Sequence, residues 1–344
     1  MKTSSSMSGH GSALRLPQVV LLATGGTIAG YAADAGRTAT YQAGALNIET
    51  LLAAVPGLTD VARMRSEQVA QIDSKDMTCA LWLTLAERVN AVLAEPDVDG
   101  VVITHGTDTL EETAYFLHLT VKSNKPVVMT AAMRPATALS ADGPLNLLNA
   151  VRVAAHPEAA GQGVLVVVNH QIHCARDVVK TSTYSVQAFQ SPEIGVLGWV
   201  QDEWVELQRR ALRRHTVQSE FDVAGRHALP MVEVLSSYAN ASTVPVEALV
   251  SAGVRGLVVA GTGNGSLYGP LQQALADAAR QGVRVVRASR TGAGHVMRNG
   301  AAADDTLGFV SAGNLQPYKA RVLAMLALAH DMPTDRWQSL FEVY

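Results

Sequence analysis

The residues of this chain best suited to chemistry are hydroxyls and carboxylates placed where apolar runs stop. Val101 to Ala114 reads Val-Val-Ile-Thr-His-Gly-Thr-Asp-Thr-Leu-Glu-Glu-Thr-Ala. Its β-branched start suits a strand buried on both faces. Gly106 breaks the run and leaves the Thr107 hydroxyl, the Asp108 carboxylate and freed backbone N–H groups at the carboxyl end of that strand, where open α/β sheets bind ligands. A second apolar run, from Val19, breaks into Thr24-Gly25-Gly26-Thr27. Glycines there let the backbone approach a ligand closely and turn N–H groups into a site. A phosphate cradle is the competing reading. It lacks both the Gly-x-Gly-x-x-Gly spacing and the Lys-Ser/Thr ending, so the two nucleotide fingerprints fail. Thr27 is a candidate nucleophile if a base reaches it. Ser74 and Lys180 complete the polar groups near strand ends. Two threonines, a carboxylate and a lysine suit hydroxyl-based acyl transfer, with the lysine as base.

Other chemistries find less support. His105, at the end of an apolar strand, reads as a satisfied core histidine. No His-x-x-x-His pair or Cys/His cluster occurs, and His170 and His173 have no evident third ligand, so no metal is expected. No Gly-x-Ser-x-Gly elbow is present, which counts against an ordinary α/β hydrolase. Cys79 and Cys174, the two cysteines, cannot build a disulfide framework and read as free thiols. A net charge of -3, with no basic stripe, argues against nucleic acid. No apolar run is long enough to span a bilayer.

The elements that must position these groups follow from length and patterning. At 344 residues, 48% hydrophobic and 17% charged, the chain reads as compact and two-domain. Strands are expected at Gln18–Ala23, Glu67–Ile72, Gly100–Thr104, Pro126–Thr130 and Gly163–Val168. Helices are expected at Leu46–Val55, Thr78–Glu95, Leu110–Val121 and Gly143–Ala155. The long polar loop Tyr31–Gly44, which holds Tyr31 and Tyr41, has the length of a lid. The alternation weakens from Asn169 to Leu229, where Arg209-Arg210 and Arg213-Arg214-His215 form a basic cluster read as a solvated surface. A second series follows, with strands at Met231–Leu235, Gly256–Ala260 and Val283–Arg287. Its helices are Val246–Ala252, Pro270–Gln281, Pro317–His330 and Asp335–Phe341. The expectation is an α/β protein with a mostly parallel sheet covered by helices on both faces, plus a smaller α/β domain. The divisions expected are a tail (residues 1–16), a larger N-terminal domain (17–208), a linker (209–230) and a C-terminal domain (231–344). The Ser/Gly-rich tail lacks the apolar middle of a secretion signal. A cytoplasmic location is therefore expected, or a periplasmic one if a signal has been removed.

Longer motifs carry a resemblance. Ala23–Gly30 (Ala-Thr-Gly-Gly-Thr-Ile-Ala-Gly) and Ile103–Ala114 closely resemble the bacterial type II L-asparaginases and glutaminase-asparaginases, as do Ala132–Asn146, Arg176–Thr181 and Gly261–Ser266. The resemblance spans about Leu16 to Tyr344. It implies hydrolysis of the side-chain amide of asparagine to aspartate and ammonia, with no metal or cofactor, and a homotetramer built from intimate dimers. It further implies that Thr27 is the nucleophile that forms an acyl-enzyme, with Tyr41 on a mobile loop contacting it. Thr107 and Lys180 match a second threonine and its lysine partner. Asp108 matches the carboxylate that grips the substrate's α-ammonium, and Ser74 the hydroxyl near its α-carboxylate.

A zwitterionic substrate needs one fixed anion and several donors, which Asp108 and the loop N–H groups can supply. The Thr27 proton has two outlets, Tyr41 or the Thr107–Lys180 pair with a partly desolvated lysine, and sequence leaves both open. Four positions depart from the family's pattern. Ala302 stands where a neighbouring subunit often supplies an acid, Ser266 where some members have Asn, and Lys75 where Gln or Glu is common. These leave the asparagine-to-glutamine preference open. Ser123 replaces one cysteine of the pair found in some periplasmic members. The competing reading from another class is a non-catalytic amino-acid sensor that keeps Asp108 and Ser74 for binding.

Overall fold

The computed structural model describes residues 15–344. The expected tail therefore lies, up to residue 14, outside the described residues. The centre of the fold is β1 (Gln18–Gly25), which is apolar on both faces and pairs in parallel with β2 (Arg63–Ile72) on one side and β3 (Gly100–Thr104) on the other. Beyond β3 come β4 (Val127–Thr130) and β5 (Val164–Val168), also parallel. Val20 and Leu22 pack on one side with Leu85 and Val89 of helix Cys79–Ala94 and with Ala114 and Leu117 of helix Leu110–Thr120. Val19 and Leu21 pack on the other with Leu147 and Val151 of helix Gly143–Ala155. Alternate residues of one strand thus bury opposite faces, which requires helices on both.

The direction of the sheet reverses after β5. Asn169 and His170, both at positive φ (46° and 66°), form a two-residue turn into the antiparallel β6 (Gln171–Cys174). Left-handed backbone at both turn positions is what a tight hairpin needs, but Asn-His lacks the glycine that usually announces it. After the short ladder β7 (Val179–Lys180) with β8 (Phe189–Gln190), the chain adds β9 (Gly198–Gln201) and β10 (Trp204–Leu207) to the sheet edge. The order is β10-β9-β6-β5-β4-β3-β1-β2. The stretch where alternation faded is therefore where the sheet changes direction.

A second sheet, wholly parallel, runs β11 (Val232–Ser236), β12 (Gly256–Gly261), β13 (Arg284–Ser289) and β14 (Phe309–Ser311). β14 is only three residues long and carries no periodic signal. Helix Pro317–Ala329 buries Leu323 and Leu326 in one continuous core with Val258 and Val286 of this sheet and with helix Leu110–Thr120 of the first. One expectation is corrected within 209–230. The four arginines of the basic cluster are exposed, but His215 is buried, its ring 5.0 Å from that of His118, and burial holds it below the ordinary imidazole range. Cys79 and Cys174 are free thiols, and burial pushes Cys174 up to about 12.

Candidate active site

The parallel order β2-β1-β3 aligns the carboxyl ends of three strands, and the predicted loops meet there because glycines let them. Gly26 (φ 83°) is so close to Gly106 that a Cβ would lie 2.3 Å from that residue's Cα and N. A Cβ on Gly106 would lie 2.5 Å from Ser74 Oγ. Only hydrogen fits at either contact. Thr27 and Thr107 therefore follow directly on two backbones in contact, with Ser74 packed against the second. Both threonines and Ser74 are buried.

Each hydroxyl has its own partner. Thr27 Oγ1 is 2.7 Å from Tyr41 Oη. Tyr41 sits just inside a loop closed by paired backbone hydrogen bonds between Tyr31 and Gln42. Lys180 Nζ donates to Thr107 Oγ1 at 2.9 Å and to Asp108 Oδ1 at 2.5 Å. Ser74 Oγ accepts from the Asp108 N–H at 3.2 Å, and Thr109 Oγ1 donates to the Ser74 carbonyl at 2.7 Å. The Lys180 side chain is 18% exposed, whereas that of Asp108 is 56% exposed and open to a solute. A cleft of about 480 Å³ runs past Asp108, Lys180 and Thr181 to Tyr318. A larger depression, about 720 Å³, lies around Arg210 and Gln218 and includes none of these residues.

Six predicted residues thus form one cluster: Thr27, Tyr41, Ser74, Thr107, Asp108 and Lys180. Two others stand apart from it. Lys75 turns its ammonium to Asp73 and Asp76, at 2.7 and 3.3 Å. Ser266 closes a bridge with Thr262 after β12, and no hydrogen bond among the described residues joins it to the cluster. His105 is fully buried, its Nδ1 2.7 Å from the Gly106 carbonyl, and burial pulls it down to about 4. It is a neutral core histidine at neutral pH. Sequence reasoning missed two groups. Glu111 Oε2 accepts from the Lys180 N–H at 2.7 Å, although in sequence it serves only the dipole of its helix. Lys319 is wholly buried within an apolar helix, and nothing in its neighbours' pattern marks it. Among the described residues no group of three His, Cys, Asp or Glu side chains could hold a metal ion.

Glycine-lined strand ends that bring the backbones before two threonines into contact, with one hydroxyl facing a tyrosine and the other a lysine–carboxylate pair, define an α/β protein equipped for hydroxyl-based chemistry. Family comparison places the chain further. Residues 18–213 match the family described as "Asparaginase, N-terminal", and residues 231–341 match "Glutaminase/Asparaginase C-terminal domain". The chain is 48% identical to L-asparaginase 2 of Escherichia coli (strain K12), over 98% of this chain and 96% of that one. It is 47% identical to a glutaminase-asparaginase of Pseudomonas fluorescens biotype A, over 96% and 91%. A crystal structure titled a probable cytoplasmic L-asparaginase, from Campylobacter jejuni, superposes with a TM-score of 0.93 at 46% identity, covering 95% of this chain and all of that one. The chain belongs to the asparaginase family.

Proposed function

We propose that the protein hydrolyses the side-chain amide of L-asparagine to L-aspartate and ammonia, with some activity on L-glutamine. The observation that carries this reading is the Thr27–Tyr41 contact held beside the Thr107–Lys180–Asp108 group at one sheet edge.

Thr27 Oγ1 attacks the side-chain carbonyl carbon. Its proton passes to Tyr41 Oη while the phenol's own proton passes to the amide nitrogen, so the C–N bond breaks with ammonia as leaving group. The direct Thr27–Tyr41 contact favours Tyr41 over Lys180 as the outlet, since Lys180 reaches Thr107 instead. Water then attacks the resulting ester, and the proton it loses returns to Thr27 as aspartate forms. Lys180 donates to Thr107 Oγ1, which frees the Thr107 hydroxyl proton to point at substrate. The backbone N–H groups of Thr27 and Thr107 have no acceptor among the described residues, and are suited to a developing oxyanion. Asp108, with one oxygen on Lys180, offers the other to the substrate's α-ammonium, and Ser74 lies toward the α-carboxylate.

In this reading Lys75 contacts substrate beside Ser74, and Ser266 does so from a neighbouring subunit in the assembled enzyme. That enzyme is a homotetramer of intimate dimers in which the C-terminal domain of one subunit (231–344, after a linker at 209–230) reaches its neighbour's site. Catalysis needs no metal or cofactor. No helix among the described residues is long and apolar enough to cross a membrane, and the family relatives include proteins named as periplasmic and as cytoplasmic. The test is ammonia release from asparagine and from glutamine, assayed separately. Turnover of asparagine is expected, with some turnover of glutamine whose ratio to it gives the preference. Release from neither, with calorimetric binding of asparagine, would overturn the reading in favour of a sensor.

A further inference from the structure

Lys180 ends a strand only two residues long, and so brief a ladder cannot by itself hold an ammonium on two targets. Its tethers come from outside the ladder. Lys319, in the first turn of helix Pro317–Ala329, donates from Nζ to the carbonyl of Arg176 at 2.9 Å and to that of Val178. The Arg176 side chain in turn donates to the Tyr344 carbonyl (2.9 Å) and to Asn314 Oδ1 (3.0 Å). Glu111 takes the N–H of Lys180 itself. Glu111 is three residues after Asp108, on the helix that the Thr107 turn opens. Glu111 is also the foremost charge offsetting the burial of Lys319. An ammonium removed from water costs several kcal/mol, and an apolar residue would fill the same volume more cheaply. What the lysine provides is two donors aimed at the backbone immediately before the catalytic lysine.

We propose that Lys319 and Glu111 are a buried pair of positioning residues that fix the Arg176–Lys180 segment so that Lys180 Nζ meets Thr107 and Asp108 together. The proposal rests on Lys180 being a catalytic group, as argued above. A shift of the segment by a fraction of an ångström would break one of the two contacts.

The test compares Lys319→Met, Glu111→Leu, Glu111→Gln and Lys180→Met in the full chain, with folding followed by circular dichroism and thermal melting. Lys319→Met and Glu111→Leu should lower kcat about 10- to 100-fold per folded molecule with KM little changed, the loss expected for a misplaced catalytic group. Glu111→Gln keeps an oxygen to accept from the Lys180 N–H and should recover most of the kcat lost in Glu111→Leu. Wild-type kcat in folded Lys319→Met overturns the proposal. So does a Gln variant as impaired as the Leu variant, or a loss that merely tracks the folded fraction. If Lys319→Met does not fold, the Gln–Leu comparison decides. Normal turnover in Lys180→Met removes the catalytic reading of Lys180 and the clamp with it. An inactive Lys180→Met beside a fully active Lys319→Met removes the clamp alone.

Discussion

Thr27 and Thr107 differ in what holds their hydroxyls, and the difference makes their roles separable. Thr27 faces a phenol and Thr107 an ammonium. Thr27→Ala removes the oxygen proposed to attack the substrate. Thr107→Val keeps the shape and removes the hydroxyl that Lys180 orients. Each should lower kcat by at least about 10³-fold, the scale for loss of a group acting in the transition state, while the melting temperature stays within a few degrees. Near-normal turnover in either variant would cancel the role assigned to that residue. A second residue-scale prediction concerns pH. His173 is buried with its Nδ1 3.0 Å from Ser191 Oγ, and burial lowers it from 6.5 to about 4. Between those values the unfolded chain takes up a proton that the native protein refuses, so stability falls as pH falls from 6.5 toward 4. Glu112, raised by burial to about 7, acts with the opposite sign above 4.5, so the variant must be compared with the parent. His173→Gln should remove a dependence of about 1.4 kcal/mol per pH unit within that window. Urea unfolding of both proteins at pH 7 and pH 5 measures it, and parallel losses would show that His173 does not contribute.

At the scale of elements, the site depends on three strand ends sharing one edge and on glycines that let their loops touch. Gly26→Ala would place a methyl 2.3 Å from the Gly106 backbone, at a φ that an L-residue rarely adopts. Neither neighbour is a flexible side-chain end that could move aside. The variant should lose more than about 2 kcal/mol of stability, as strained backbone positions do. Its kcat should also fall, because Thr27 and Thr107 both follow this contact. A variant with parental stability and kcat would mean that the loops tolerate separation. The Tyr31–Gln42 pairing explains how an expected lid is ordered. Two backbone hydrogen bonds close its neck, while residues 33–40 all stay exposed.

Across the whole molecule, the second sheet is organised around a buried charge. Arg287 and Asp304 are both fully buried, with Nε and Nη2 on the two carboxylate oxygens at 2.8 and 2.6 Å. The remaining guanidinium donors reach the carbonyls of Asn264, Gly265 and Met297. Every donor is used, so removing the carboxylate strands a charge in an apolar interior. Asp304→Ala should cost about 3–5 kcal/mol, read as a lower midpoint in denaturant. Because helix Pro317–Ala329 shares its core with helix Leu110–Thr120, the loss should reach activity as well as stability. Activity persisting after the second sheet has melted would show the two sheets to be energetically separate.

Local pattern accounts for much of this. The run from Gly100 to Thr104 and the helix from Gly143 to Ala155 have the bounds that apolar periodicity and breakers suggest. Thr27, Ser74, Thr107, Asp108 and Lys180 were legible because each stands near where such a run ends, and the family motifs added Tyr41. Hairpins β5–β6 and β9–β10 and the three-residue β14 were not legible, since Asn-His and short edge strands carry little periodic signal. The pairings of Tyr41 with Thr27 and of Lys180 with Thr107 were reachable only through the family resemblance, and the turn of Lys75 to two aspartates was not legible at all. Hydrophobic period is a property of neighbouring residues, so the chain itself states its strands and helices. Which hydroxyl meets which partner is fixed by strand order and by contacts across 14 and 73 residues of chain, and only the folded structure brings those residues together.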